Sequence, residues 1–333
     1  MALWPVTAGR ALAHAAVISR PTTATVHRVV KMALMSEEQC RIGFVGVGRM
    51  GLPMCRRLSQ RGFAVLATDI RDEASADVKA TGARWSDSLG ELAAQSDVVI
   101  TSLPGAVEVA LVLDPLLAAL PRGSTWIEMS TATPAIAAEI ARVAAVSDVH
   151  TLDAPVGGGP EAAAAGRLLA FVGGSAQDVE AHRDVLSTLA DRILHLGPTG
   201  SGYVVKLLVN LLWFGQAVAV AEALSLGVRA GLDPETVRHA VQESAAASRF
   251  IERDAQALLA GDDLTAFSLA GCHQELAEVL ALGEQFEVPL GLAERVTELY
   301  AQALERYGDV DGELLGARFV AERAGVDLRR PSA

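Results

Sequence analysis

From Arg41 onward, short apolar runs alternate with stretches in which apolar residues recur every three or four positions. The short runs are RIGFVG (41–46), FAVLATD (63–69), SDVVITSL (96–103), STWIEM (124–129), VHTLDAP (149–155), RLLAFVGG (167–174) and DRILHLG (191–197). They predict strands. Between them MCRRLSQR, ELAAQ, EVALVLDPLLAAL, PAIAAEIARVAAV and AQDVEAHRDVLSTLA carry helical spacing. Strands alternating with such helices predict a parallel, doubly wound sheet. With little but AAAAG between two of the late strands, that end of the sheet is expected to be mixed. After Gly197 the strand pattern stops. Residues 201–230 read as one long apolar helix, and PETVRHAVQESA, FIERDAQALLAG, the segment 269–286 and GLAERVTELYAQALERYG follow as further helices. Strands followed by a run of helices predict an all-helical second domain. The expected division is a poorly ordered extension at 1–35, an α/β domain at 36–198 and a helical domain at 199–333.

Composition sharpens this picture in three places. A net charge of −12 argues against a nucleic-acid partner, because phosphate backbones are met with clustered Lys and Arg. The uncharged run from Leu207 to Ala221 falls short of the roughly 20 residues that span a bilayer, so no membrane insertion is expected. Cys40, Cys55 and Cys272 form no C-x-x-C pair and no H-x-x-E spacing occurs, which leaves a reduced, cytoplasmic-type protein with no metal. The first 34 residues carry Arg10, Arg20, Arg28 and Lys31 but no acidic residue. That matches a transit peptide, and hence the mitochondrial matrix in a eukaryote, or equally an upstream start before Met35.

The chemistry begins at GFVGVGRMG, where Gly46, Gly48 and Gly51 have the G-x-G-x-x-G spacing at the end of a strand and the start of a helix. This is the Rossmann turn for a dinucleotide: the first glycine makes the turn, the second admits the pyrophosphate, and the third lets helix and strand approach. The pyrophosphate rests on the free N–H groups of the helix N-terminus. Asp69 ends the second strand 18 positions past Gly51 and can accept bonds from the adenosine ribose. It repels a 2′-phosphate, so NAD is favoured over NADP, although Arg71 two residues on could turn to a phosphate.

A second motif is GPTGSGYVVKLLVN (197–210), in which Lys206 and Asn210 stand four apart and so share a helix face. A hydride transfer needs a proton taken from, or given to, the reacting oxygen, and a positioned lysine can do either.

Taken together these motifs resemble the β-hydroxyacid dehydrogenase family, which includes the 3-hydroxyisobutyrate dehydrogenases. GFVGVGRMGLPM resembles its cofactor signature, SLPGAVEV its Leu-Pro turn, EMSTATP its Ser-Thr pair, DAPVGGGPEAAAAGRL its substrate loop and GPTGSGYVVKLLVN its catalytic motif. The resemblance covers the chain from about Arg41 into the C-terminal region. It implies an N-terminal Rossmann NAD-binding domain and an all-helical C-terminal domain like that of 6-phosphogluconate dehydrogenase. It further implies Lys206 as acid/base, with Ser130, Gly157, Gly158, Gly159 and Asn210 binding substrate. Gly46, Val47, Gly48, Arg49, Met50, Gly51, Asp69, Leu103, Pro104, Thr131 and Gln274 would bind the cofactor. The implied activity is NAD-dependent oxidation of a 3-hydroxyacid. The alternatives are a reductase of an aldehyde acid such as tartronate semialdehyde, and a dehydrogenase-like module that only binds.

Two positions depart from the family pattern. Gly157 stands where the substrate loop usually has serine, and Gln274–Glu275 stand where Lys-Asp is usual. The first implies a substrate bulkier than the simplest hydroxyacids. The apolar helix 201–230 needs more cover than one small domain gives, so a homodimer or homotetramer is expected.

Overall fold

The computed structural model describes residues 40–329; the expectation for residues 1–35 lies outside them. Six strands form the parallel core of the sheet: β1 (Arg41–Val45), β2 (Ala64–Thr68), β3 (Arg84–Trp85), β4 (Val98–Thr101), β5 (Thr125–Glu128) and β6 (His150–Asp153), in the order β3-β2-β1-β4-β5-β6. The order reverses between β1 and β4, and ligands of doubly wound sheets bind outside the strand ends at such a point. Beyond β6 the sheet turns antiparallel through β8 (Leu168–Gly173) and β7 (Val156–Gly157), while β9 (Ala190–Gly197) runs parallel to β8 at the edge. The mixed end is therefore present.

Alternation along the strands divides the core into two layers. Ile42, Phe44, Val65, Ala67, Val98 and Ile100 face one side, packed under α1 (Gly51–Gln60), whose Met54, Cys55 and Leu58 they bury. Val45, Leu66 and Val99 face the other, under α3 (Leu89–Ala94) and α4 (Ala106–Ala119). Side-chain oxygens start several helices: Ser88 accepts from Glu91 N, Thr133 from Ile136 N, Asp233 from Thr236 N and Ser268 from Gly271 N. Each such cap is worth ~1 kcal/mol. Cys55, placed in the first helix by its spacing, is fully buried.

From Ser201 the described chain is helical. The central element is α9 (Ser201–Arg229, 29 residues), against which α12 (Leu269–Gln285), α13 (Gly291–Tyr307) and α14 (Leu315–Arg323) pack. By length and composition α9 could cross a membrane, with a mean hydropathy of 1.8 over its most apolar stretch. The length argument from the 207–221 run therefore does not stand, because the helix extends past that run at both ends. Leu207, Phe214, Ala217, Ala221 and Leu224 are buried in the protein's own core, and Leu208, Leu212 and Leu226 are exposed.

Candidate active site

The glycine turn is shaped by close approaches. Gly46 has φ +89°, the left-handed region, and a Cβ there would run into the carbonyl oxygen of Ser102. At Gly51 a Cβ would run into the carbonyl oxygen of Gly46, so helix and strand touch backbone to backbone. A Cβ on Gly48, by contrast, would meet nothing within 4 Å. The turn is thus closed on the protein side and open at its middle. α1 starts without a side-chain cap and has no acidic residue in its first turn, so no negative side chain opposes an anion there, although Leu52 N donates to Gly48 O at 3.0 Å and Pro53 has no N–H.

Asp69 stands beside this opening. Its carboxylate accepts from Val47 N at 2.8 Å and from Arg71 N at 3.1 Å, and it pairs with both sides of the Arg71 guanidinium at 2.9 and 3.0 Å. Burial pushes the carboxyl up, but the bonds from Arg71 and the two backbone N–H groups outweigh it and hold the group below its ordinary value. Asp69 is therefore an anion able to accept ribose hydroxyls. Arg71 lies on Asp69, not turned away toward a phosphate. A dinucleotide with a free 2′-hydroxyl fits what these residues offer: an open backbone cradle, a helix start with no acidic residue and an acceptor at the second strand.

The lysine arrives on α9, whose start is held by a buried carboxylate. Asp153, at the end of β6, accepts from Gly200 N at 2.7 Å, Gly202 N at 2.8 Å and Tyr203 N at 3.3 Å. Burial raises its carboxyl to about 6 against these donors. Lys206 follows half-buried and Asn210 is buried, one turn apart on the same face. Facing them is Glu275 of α12, which accepts from Asn210 Nδ2 at 2.8 Å and from the Thr131 hydroxyl. Burial pushes the Glu275 carboxyl up, while the Lys206 charge and the Thr131 bond pull it down. Three separate segments thus converge: the end of β5 through Thr131, α9 and α12.

Comparison with known proteins fits this arrangement. Residues 41–197 match the model of the NAD binding domain of 6-phosphogluconate dehydrogenase. Residues 200–315 match that described as NAD-binding of NADP-dependent 3-hydroxyisobutyrate dehydrogenase. The chain is 35% identical to 2-(hydroxymethyl)glutarate dehydrogenase of Eubacterium barkeri, over 79% of this chain and 89% of that one. It is 33% identical to 3-hydroxyisobutyrate dehydrogenase of Pseudomonas aeruginosa, over 81% and 95%. A solved 3-hydroxyisobutyrate dehydrogenase of Mycobacterium tuberculosis, with L-serine, superposes with a TM-score of 0.78 at 26% identity, over 86% of this chain and 99% of that one. The chain belongs to the β-hydroxyacid dehydrogenase family. It is, accordingly, an NAD-binding oxidoreductase acting on a CH–OH carbon.

Seen within the β-hydroxyacid dehydrogenase family, several residues do other work than their motif implied. Ser130 was expected to meet the substrate carboxylate, yet its hydroxyl is buried, accepts from Leu103 N at 2.8 Å and donates to Glu128. With its hydrogen directed to Glu128, it holds the Leu103–Pro104 turn. Arg49 reaches away from the glycine turn to Asp311 (2.5 Å) and to the carbonyls of Thr265 and Ala266, tying the turn to the helical region. Met50 packs partly buried against the sheet core.

At Gly157 a Cβ would have only ordinary contact, with Phe171 at 3.7 Å, so the backbone does not require glycine there. Gly158 (φ +122°) and Gly159 (φ +71°) turn the chain into the short helix that follows. Gln274 lies against the turn that follows β4: a Cβ on Gly105 would fall 2.5 Å from its Nε2. It also bonds Glu278. No charge reaches the turn from this position.

Sequence reasoning missed the buried carboxyls grouped about Glu275. Glu278 is raised to about 7 by burial and the neighbouring Glu275 charge, opposed by the Gln274 bond. Glu313, just before α14, is raised to about 7 by burial and Glu275, opposed by Lys206. The signal available was Glu275 and Glu278 at i and i+3 on a largely apolar helix, which places both on one face. The histidines are engaged elsewhere: His150 pairs with Asp178 at 3.1 Å, and His195 Nε2 lies 2.9 Å from Gly174 O. Asp309 accepts from Ala270 N at 3.3 Å at the start of α12. Among the described residues no group of three or more His, Cys, Asp and Glu could hold a metal ion.

Proposed function

We propose that this chain is an NAD-dependent dehydrogenase that oxidises the hydroxyl of a 3-hydroxyacid to the aldehyde or ketone, with Lys206 as acid/base. The observation that carries the reading is the convergence of Lys206, Asn210, Glu275 and Thr131 beside the turn that follows β4. Bound NAD would supply the acceptor for the hydride of the carbinol carbon. The protein's share is the proton and the orientation. Neutral Lys206 Nζ takes the hydroxyl proton as the C–H bond breaks, and returns one to the carbonyl oxygen in the reverse direction, so atoms and charge balance. Asn210, fixed by Glu275 through its Nδ2, keeps its carbonyl oxygen for the substrate hydroxyl or the ammonium of Lys206. Backbone N–H groups of Gly157 to Gly159 bind the substrate carboxylate in place of the committed Ser130 hydroxyl.

The substrate we favour is a 3-hydroxyacid with a C2 substituent larger than methyl. Room at Gly157 supports this, as does the Eubacterium barkeri relative, whose named substrate, 2-(hydroxymethyl)glutarate, is such an acid. The exposed apolar residues Leu208, Val209 and Leu212 of α9 support a homo-oligomer that covers them. The reading places the enzyme in the cytoplasm, or in the mitochondrial matrix if residues 1–34 direct import. The test is reduced-nicotinamide absorbance with NAD and with NADP across 3-hydroxypropanoate, 3-hydroxyisobutyrate and 2-(hydroxymethyl)glutarate, for wild type and Gly157→Ser. Turnover with NAD, greatest on a larger acid and shifted toward the smaller ones by Gly157→Ser, is the expected result. An unshifted preference in Gly157→Ser removes the argument from Gly157, and no NAD turnover on any of the three removes the reading.

A further inference from the structure

Glu128 ends β5 and is completely buried, with no Lys, Arg or His paired to it among the described residues. Four donors surround its carboxyl: Ser130 N at 2.9 Å, Thr101 Oγ1 at 3.2 Å, the Ser130 hydroxyl and the Tyr203 hydroxyl. Neighbouring bonds fix the direction of two of them. Trp126 Nε1 donates to Thr101 Oγ1 at 2.8 Å, and Leu103 N donates to Ser130 Oγ at 2.8 Å, so both hydroxyl hydrogens are left to point at Glu128. A carboxylate is the side chain that can accept from all four. Burial pushes its proton affinity up, and these donors oppose it.

The network links two segments whose separation matters for the reaction. On one side, Ser130 carries the backbone of Leu103, the first residue of the turn beside the cofactor position. On the other, Tyr203 lies in the first turn of α9, three residues before Lys206, so a shift of its ring carries the lysine with it. The same stretch is gripped by Asp153, and at Gly202 a Cβ would run into the Phe171 carbonyl oxygen, so the helix start has little room to adjust.

We propose that Glu128 is a positioning residue for the transfer step, setting the distance between the Leu103 turn and Lys206 through Ser130 and Tyr203. The inference rests on the dehydrogenase reading for its catalytic consequence, and on this chain's own bonds for the coupling. Misplacement of reacting groups by about 1 Å costs up to ~100-fold in rate. Glu128→Gln keeps the shape but sets an amide donor against a hydroxyl donor. Tyr203→Phe removes a single hydroxyl.

The experiment compares both variants and their double mutant by kcat, by KM for NAD, and by hydrogen exchange of residues 101–106 and 201–207 in the cofactor-free protein. We expect kcat to fall about 10- to 100-fold with KM for NAD within about twofold. Exchange should quicken in both segments together, and the double mutant should be no worse than the poorer single one, because both break one link. A kcat within twofold of wild type in folded Tyr203→Phe overturns the proposal, as does faster exchange confined to one segment. If Glu128→Gln does not fold, Tyr203→Phe alone decides. If wild type oxidises none of the acids, the dehydrogenase reading has failed, and the exchange data still decide whether the two segments are coupled.

Discussion

The glycine turn and the wall opposite Lys206 solve the handling of charge in opposite ways. At the turn nothing charged approaches the ligand from the loop itself. A helix start with no acidic residue and an open space at Gly48 await an anion, and the one nearby carboxylate, Asp69, is kept ionised by four donors from Val47 and Arg71. At the lysine, the Lys206 side chain lies near the carboxyls of Glu275 and Glu313, both pushed up by burial, with Glu278 beside Glu275. A fixed backbone cradle suits a group that must bind the same way every turnover. A site that passes a proton needs titratable side chains held close to the reacting atoms. Binding is therefore built largely from backbone here, and the lysine is set among buried carboxyls.

That contrast can be broken at several points, beginning with the largest effect. Gly48→Val adds side-chain atoms where the structure has none, so the fold should survive while the cradle fills. We expect NAD affinity to fall ~100-fold by fluorescence titration, with the melting temperature within a few degrees of wild type. Unchanged affinity would show that the pyrophosphate rests elsewhere. Asp69→Ala removes one charged acceptor, and KM for NAD should rise about tenfold while the preference over NADP shrinks. Equal losses for both cofactors would mean that Asp69 only orders the turn.

Glu278→Gln acts on the other side. A carboxyl raised from 4.5 to about 7 on folding binds its proton more tightly in the native state, so this group costs stability as pH rises through 4.5 to 7. The variant lacks that cost. Relative to wild type it should gain about 1–3 kcal/mol in urea unfolding at pH 8 and nothing below pH 4.5. An equal effect at both pH values would show that Glu278 ionises normally.

Much of this was legible in the residues. Apolar runs marked seven strands, and the spacing from Gly46 to Asp69 marked the cofactor turn, because both depend on local pattern. Arg84–Trp85 and Val156–Gly157 were not marked, since a two-residue strand has too few positions to alternate. The bond from Ser130 to Glu128 was not foreseen, because Glu128 adds no periodic signal to a strand buried on both faces. The carboxylate wall stayed hidden for a related reason. Glu275 and Glu313 are 38 positions apart in sequence and meet only through helix packing. Long-range polar contacts of this kind leave no short-range pattern.

Lys206→Arg tests the central claim most directly, because a guanidinium keeps the positive charge but does not give up its proton at neutral pH. Oxidation of the best 3-hydroxyacid should fall at least ~100-fold while NAD affinity stays within about threefold, since a proton acceptor has been lost and the cradle has not. Turnover near that of wild type would contradict it, and would leave Lys206 as a fixed charge with the proton carried by another group.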